Sequence, residues 1–362
     1  MYLKFFIIII LFFSYILLFL LLASKKINLR IINNKNKKKI GVLGMKNKNN
    51  IGNNLVKFAM YILLKNYGFE PTMIGISNRK SNLNFLKKYV NLKVINTSFN
   101  ELKEKDYNIL MVNSDQTWNK YKFHLDVGFL KFAKNWKIPK FVYGASIGHD
   151  HWRFTKKFDR LAKILLKNFT GISVREKGSI YLVQKHLGIK PLFVLDPTFL
   201  INKKYYLDTI INFKKNITIT DKFICVYQLD RNNIISDFIK YASEQLKYKI
   251  YYVYSYGKNY IENFIFAFNI SKAVITDSYH GTVFSIIFNK PFISFINTKR
   301  GRGRFFSLNE TFNLNNRIIF PKNNINHKIN LLSIPLNINQ KKLNMLKNIS
   351  IEYLKKNLGI TY

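Results

Sequence analysis

The sequence contains a single cysteine, Cys225, so no disulfide can form within the chain. Cys225 lies in an apolar run at residues 223–227, which predicts a buried thiol and fits a reducing compartment. An obvious set of metal ligands is also lacking, because the pair His149 and His151 has no clear partner carboxylates. We therefore expect neither a disulfide-stabilised scaffold nor a resident metal.

Acidic residues are scarce: 19 Asp and Glu stand against 59 Lys and Arg, and the formal net charge is +40. The basic residues are spread along the whole chain, without a zinc-finger, RNP or basic-zipper pattern. Lys, Asn, Ile, Phe and Tyr are all frequent and share A/T-rich codons, so a base bias of the genome explains this composition without selection for charge. We expect no nucleic-acid partner, although the surface suits acidic glycans or anionic lipid head groups.

An uncharged apolar run covers residues 5–23 and is long enough to cross a bilayer as a helix. A cleaved signal peptide is the alternative, but the run is long and no clear small-x-small cleavage site follows it. The sequence predicts a single-pass transmembrane anchor at residues 3–24 and a basic tether at 25–38. By the positive-inside rule the C-terminal part faces the cytoplasm, with a Golgi lumen as the alternative in a eukaryotic host.

From residue 39 onward, short apolar strands alternate with amphipathic helices, a pattern typical of α/β domains with parallel sheets. A polar stretch at 202–221 separates two such series. We predict an N-terminal Rossmann-like domain at 39–205, a C-terminal one at 215–325, and a tail at 326–362 that contains a helix. The predicted elements include helices at 54–66, 283–288 and 340–357 and strands at 193–195, 249–254 and 273–275.

Polar side chains follow many of these strands. The carboxyl ends of parallel strands meet at one sheet edge, so these residues predict a cleft walled by both domains. At Asp196-Pro197 a structural turn is favoured over a catalytic acid. The residues after the strand ends are Asp115, Gln116, Arg175, Glu176, Asp196, Asp277, His280, Lys299, Arg300, Arg302 and Arg304.

The segment 274–295, VITDSYHGTVFSIIFNKPFISF, predicts a strand, a turn, a helix capped by Thr282 and a second strand. His280 then lies where a strand ends and a helix begins, a position that favours anions. Arg175 also opens a predicted helix, where the dipole disfavours a cation, and an anionic ligand would resolve that conflict. Both positions therefore indicate binding of an anion.

Five segments occur in the order NSDQTW, YGASIG, GISVREKGS, VLDPTFL and VITDSYHGTVFSIIFNKPFISF. Together they resemble the polysaccharide pyruvyl transferases over about residues 39–308. The resemblance implies a GT-B-like fold, with two Rossmann-like domains facing a cleft. It also implies transfer of the pyruvyl group of phosphoenolpyruvate to hydroxyls of a saccharide, which can be lipid-linked, with formation of a ketal and release of phosphate. Phosphoenolpyruvate is then a co-substrate, and no further cofactor is expected.

The same resemblance places Arg175 and His280 at the phosphoenolpyruvate site and Asp115 near the reaction centre. His280 is expected to act either as general acid or as phosphate ligand, and Asp115 as the base for a sugar hydroxyl. Further residues expected to bind substrate are Lys299, Arg300, Ser278, Gln116 and Asn53.

One position departs from the family pattern, because Ser278 stands where some members carry an arginine, two residues before the histidine. The missing positive charge is expected from Arg300, Arg302 or Arg304.

Two other functions fit the same fold. A glycosyltransferase with a nucleotide-sugar donor often uses a carboxylate of the second domain to hold the ribose. Between Glu262 and Glu310 the only acidic residue is Asp277, which favours a smaller and more anionic donor. A non-enzymatic glycan-binding module is the third hypothesis, and the clustering of charged residues at strand ends argues against it.

Overall fold

The computed structural model describes residues 37–44, 50–76, 83–95, 98–120, 125–211, 213, 221–322 and 324–360. The predicted anchor at 3–24 lies outside these residues, as does the tether at 25–38 apart from its last two positions. Within the described ranges, no helix combines the length and apolar character needed to cross a membrane.

The first domain is built on a seven-stranded parallel sheet in the order β3-β2-β1-β4-β5-β6-β7. Its strand order reverses between β1 and β4, the position at which ligands bind in open α/β sheets. The strands are β1 Lys39–Leu43, β2 Glu70–Ile76, β3 Leu92–Ile95, β4 Ile109–Val112, β5 Lys140–Ala145, β6 Gly171–Val174 and β7 Leu192–Phe193.

The second domain has a five-stranded parallel sheet in the order β12-β11-β10-β8-β9, which reverses between β8 and β10. Both sheets are thus Rossmann-like, as the alternating pattern predicts. The strands are β8 Phe223–Tyr227, β9 Lys249–Tyr252, β10 Ala273–Thr276, β11 Phe292–Phe295 and β12 Ile318–Ile319.

Helices connect the strands and bury their apolar faces against the sheets. The first-domain helices are α1 Ile51–Asn66, α2 Asn84–Tyr89, α3 Leu125–Gly128, α4 Lys156–Leu166, α5 Lys177–Leu187 and α6 Lys203–Asp208. Those that follow are α7 Asn233–Leu246, α8 Tyr260–Ile270, α9 Tyr279–Ile287, α10 Gly303–Phe312 and α11 Gln340–Leu358.

The C-terminal helix α11 packs against the first domain, although it follows the second in sequence. The Tyr353 hydroxyl donates to the Val142 carbonyl at 2.6 Å, and the Leu195 amide donates to Ser350 Oγ at 2.9 Å. Tyr353 also belongs to a buried apolar cluster that includes Phe141 and Tyr143 of the first domain. The chain therefore crosses between the domains twice.

The prediction of a helix at 283–288 capped by Thr282 was wrong about the N-terminal boundary. The helix runs over Tyr279–Ile287, because Ser278 is the N-cap and its Oγ accepts from the Gly281 amide at 3.3 Å. His280 therefore lies in the first helical turn and not in the preceding loop.

Other predicted boundaries also move. The helix predicted at 54–66 begins at Ile51, because the Asn50 side chain accepts a hydrogen bond from the Asn53 amide at 2.9 Å. The basic segment TKRGRGR, which follows β11, enters α10 at Gly303. Two strands are shorter than predicted, since 193–195 is Leu192–Phe193 and 249–254 is Lys249–Tyr252.

The carboxyl edges of the two sheets face each other across direct contacts. Asn54 Nδ2 donates to the Tyr260 hydroxyl at 2.9 Å, and Gln116 Nε2 donates to the Arg300 carbonyl at 2.9 Å. Residues that follow strands in both domains consequently meet in one place.

Candidate active site

Arg175 follows β6 and lies at the centre of a group of carboxylates. Its side chain is fully buried, and its NH2 atom is 3.0 Å from Asp115 Oδ1. Its NH1 atom pairs with Asp196 and donates to Ser114 Oγ at 3.3 Å, while Nε lies 3.6 Å from Glu176 Oε1. Burial opposes the charge of Arg175, but these carboxylates outweigh burial and raise its pKa. Arg175 is therefore a permanent cation.

Asp115 follows β4 in a strained backbone conformation, with φ of +105°. The Ser146 amide donates to its carbonyl at 3.0 Å, which fixes the loop against the end of β5. Its carboxylate accepts from Asn53 Nδ2 and the Gln116 amide at 2.9 and 2.8 Å. Predicted residues from α1 and β4 thus meet at one carboxylate, and strain of this kind is concentrated at functional sites.

Asp196 combines a structural and a site role, whereas the sequence favoured only a turn. Its Oδ1 accepts from the Thr198 amide and hydroxyl at 3.1 and 2.7 Å, which caps the helical turn Pro197–Phe199. Its Oδ2 pairs with Arg175. Burial alone would raise the pKa of Asp196, but the charge of Arg175 and the adjacent His280 hold it well below the usual range.

His280 reaches this group from the second domain. Its Nε2 lies 3.6 Å from Asp196 Oδ2, and it makes no hydrogen bond within the described part of the chain. The other side of the ring lies against the first turn of α1 at Gly52, where a Cβ would come within 1.9 Å of Nδ1. His280 is thus enclosed by both domains, and a buried Nε2 that lies beside Asp196 but makes no hydrogen bond to a described residue suits a ligand.

The predicted ligands Arg300 and Lys299 are not part of this group. Arg300 forms a two-point pair with Asp230, with Nε 2.6 Å from Oδ2 and NH2 3.0 Å from Oδ1. Its main-chain carbonyl accepts a hydrogen bond from Gln116 Nε2 of the first domain at 2.9 Å. Lys299 is exposed, and Ser278 serves as a helix cap.

Sequence reasoning missed Tyr279 entirely and left Arg304 as one of three alternatives. The Tyr279 ring contacts two guanidiniums, since Arg175 Cζ and Arg304 Cζ lie 4.9 and 5.1 Å from its centroid. Burial and the charge of Arg175 lower the pKa of Arg304 to about 10. The available signal was the basic motif itself, because spacing alone does not show which arginine turns inward.

Lys57 on α1 was also missed. It is buried one helical turn after Asn53, on the side of the helix that faces Asp115. Burial lowers its pKa to about 7, and the charge of Asp115 opposes that shift. A lysine within the otherwise apolar run LVKFAM was the signal that the sequence offered.

The pair His149 and His151 lies outside the Arg175 group. Their rings are 5.9 Å apart, and His151 Nδ1 is 3.0 Å from Asp150. Burial and the charge of Arg153 lower the pKa of His149 to about 4. No cluster of three or more potential metal ligands occurs among the residues that the structure describes.

The arrangement combines cations, helix N-termini and carboxylates at one interdomain position. Cations and helix N-termini bind anions, and carboxylates beside a histidine can move protons. Such a site suits a small anionic substrate whose reaction needs a proton transfer.

A family model of polysaccharide pyruvyl transferases matches residues 50–299. A search of curated proteins finds no match to the sequence. Among solved structures, UDP-GlcNAc 2-epimerase from Neisseria meningitidis bound to UDP-GlcNAc has a TM-score of 0.55 and 11% identity, covering 88% of this chain and 100% of that chain. Anabaena HepE in complex with UDP and glucose has a TM-score of 0.50 and 11% identity, covering 88% and 95%. At such low identity these likenesses establish the GT-B-like fold alone.

Proposed function

Because the chain belongs to the polysaccharide pyruvyl transferase family, and is therefore an enzyme of the transferase class, we propose that it transfers the pyruvyl group of phosphoenolpyruvate to saccharide hydroxyls. The observation that carries the proposal is the burial of His280 from one domain beside Arg175, Asp115 and Asp196 of the other. Two helix N-termini and several cations supply the positive environment that a donor with a phosphate and a carboxylate requires.

Donor binding involves an exchange at Arg175. Its guanidinium is paired with Asp115, and the carboxylate of phosphoenolpyruvate competes for the same nitrogen. Exchange leaves Arg175 paired with the donor and frees Asp115 to accept a proton. The strained backbone of Asp115 fits a residue whose position is held for this step.

The chemistry then proceeds by addition and elimination. The methylene carbon of the donor takes a proton, for which His280 is the proposed acid, and C2 becomes electrophilic. A sugar hydroxyl attacks C2 and gives its proton to Asp115. The bond from C2 to the phosphate oxygen breaks and phosphate leaves with the electron pair. A second sugar hydroxyl then closes the ketal and gives its proton to the imidazole of His280, which restores the acid.

Thermal unfolding of the full-length protein tests the donor. Phosphoenolpyruvate at ~100 times its dissociation constant should add about 2.7 kcal/mol to the free energy of unfolding, and so raise Tm by several degrees. A UDP-sugar at the same concentration should not. The His280→Gln variant should lose the shift, whereas His327→Gln, the same change at an exposed histidine, should retain it.

Two results would overturn the proposal. One is stabilisation of the wild-type protein by a UDP-sugar and not by phosphoenolpyruvate, which would indicate a nucleotide-sugar transferase. The other is an unchanged shift in His280→Gln, which would place the donor elsewhere. A third measurement is phosphate release by His280→Gln with an acceptor found by screening saccharides. A rate near that of wild type would show that His280 is not the acid and would leave the rest of the proposal in place.

A further inference from the structure

The three arginines of the segment TKRGRGR differ in their partners. Arg300 is paired with Asp230, and Arg302 with Asp150 at 2.8 Å. Arg304 has only 7% of its surface exposed, and no carboxylate lies within ion-pair distance of it among the described residues. Its Nε is buried without a hydrogen-bond partner there. Arg304 therefore lacks the direct ion pair that Arg300 and Arg302 have, and the charges of Asp115 and Glu176 favour its cation only from a longer distance.

The surroundings of Arg304 make this arrangement costly. Its guanidinium shares the Tyr279 ring with Arg175, and the charge of Arg175 acts against it. NH2 donates to the Arg300 carbonyl at 2.5 Å, which fixes the side chain in the buried position. A buried cation near another cation is unfavourable unless an anion joins them.

The N-terminus of α10, where Arg304 lies, also favours an anion that no described residue supplies. Arg304 is the second residue of α10, a helix of 10 residues whose N-cap, Arg302, makes no capping hydrogen bond and whose first turn has no acidic residue. The N-terminus of a helix attracts anions and repels cations. Gly301, with φ of +103°, turns the chain into this helix.

We infer that Arg304 and the N-terminus of α10 bind the phosphate group of the donor. The inference rests on the proposed function for the identity of that donor. It assigns to Arg304 the positive charge that Ser278 does not provide, and it leaves the carboxylate of phosphoenolpyruvate to Arg175. The ligand class at this subsite is a phosphomonoester dianion.

Calorimetric titration of the full-length protein with phosphoenolpyruvate, inorganic phosphate and pyruvate distinguishes binding of the donor's phosphate from binding of its carboxylate. Arg304→Gln should weaken phosphoenolpyruvate and phosphate by roughly 10- to 100-fold, the range of a charge-assisted hydrogen bond. Pyruvate, which has only the carboxylate, should bind both proteins alike. Arg160→Gln makes the same change at an exposed arginine of α4 and should alter each affinity by less than about threefold.

Thermal unfolding without ligand distinguishes a binding role from a structural one. A structural Arg304 predicts a lower Tm in Arg304→Gln with unchanged phosphate affinity, and that pair of results would overturn the inference. A binding role predicts an unchanged or higher Tm, since the variant removes a buried cation without a carboxylate partner. If Arg304→Gln does not fold, Arg304→Lys is the second variant. It keeps the positive charge but lacks the planar guanidinium, and it should still weaken phosphate binding. Unchanged phosphate affinity in Arg304→Lys would equally refute the role of Arg304.

The inference and the proposed function can fail separately. If phosphoenolpyruvate binds wild type and Arg304→Gln equally, the subsite is wrong and the donor stands. If a UDP-sugar binds in place of phosphoenolpyruvate and loses affinity in Arg304→Gln, the donor is wrong and the phosphate subsite stands. Absence of both phosphate and phosphoenolpyruvate binding to the wild-type protein would refute the subsite.

Discussion

Gly52 and His280 are in such close contact that a Cβ on the glycine would lie 1.9 Å from Nδ1 of the imidazole. Gly52 is in the first turn of α1 and His280 in the first turn of α9, so the N-termini of helices from two domains converge on one ring. The absence of a side chain at position 52 is therefore a requirement of the site and not of the local backbone.

Gly52→Ala should displace His280 and reduce binding of phosphoenolpyruvate by at least about tenfold. Overpacking at a buried contact destabilises by roughly 1–3 kcal/mol, so the free energy of unfolding should also fall. Urea unfolding and ligand titration measure the two effects on the same protein.

Gly178→Ala is the matched control, because Gly178 also lies in a helix but a Cβ there meets nothing within 4 Å. Replacement of a helical glycine by alanine in open space is expected to stabilise by roughly 0.4–1 kcal/mol. Equal ligand affinity in Gly52→Ala and Gly178→Ala would contradict the role given to the close contact.

Asp115→Asn should preserve donor binding and abolish most of the turnover. Asparagine tolerates positive φ as aspartate does, so the substitution removes the charge and leaves the backbone in place. Loss of a general base lowers the rate by roughly 10²- to 10⁴-fold. The rate of phosphate release with a saccharide acceptor measures this loss. Asp237→Asn, on the exposed side of α7, is the control and should keep the wild-type rate. A decrease of less than threefold in Asp115→Asn would assign the base to another residue.

Lys57→Met should change how stability depends on pH. In the wild-type protein the pKa of Lys57 is lowered from 10.5 to about 7, so between these values the unfolded chain binds more protons than the folded one. Wild-type stability should therefore rise from pH 7 to pH 9, by about 2 kcal/mol from this group. Methionine fills the same space without a charge, so the variant should lack that rise and be the more stable protein at pH 7.

The measurement is urea unfolding of both proteins at pH 7 and pH 9. Lys65→Met on the same helix is the control, because Lys65 is exposed and its loss should leave the pH dependence as in wild type. An equal rise in stability in wild type and Lys57→Met would show that Lys57 does not titrate in this range.

The sequence predicted the fold and the edge of the sheets at which the candidate site residues lie. Both predictions follow from local rules. Alternation of strands and helices predicts parallel sheets, and the carboxyl ends of such strands gather polar residues. Asp115, Arg175 and His280 all follow strands, and the structure brings them together. The cap at Ser278 was missed because Thr282 offers an equally good capping side chain in the linear sequence.

What the sequence could not predict depends on contacts between distant residues. Arg300 and Arg304 are equivalent in a linear motif, and it is the folded chain that pairs the Arg300 side chain with Asp230, 70 residues earlier. The apolar neighbours of Lys57 hint at its burial, but only the fold shows that Asp115 is the charge beside it. Partner choice and burial of single charges are thus tertiary properties, which periodicity does not encode.

Helix α11, which packs against the first domain, is synthesised after the whole second domain. Until α11 leaves the ribosome, the apolar surface around Phe141 and Tyr143 lacks the side chain of Tyr353 that packs against it. This apolar surface therefore lacks its cover while the second domain is translated. Exposed apolar surface makes partly folded chains prone to aggregation. Synthesis of α11, and not synthesis of the strands β1 to β7, therefore completes the packing of the first domain.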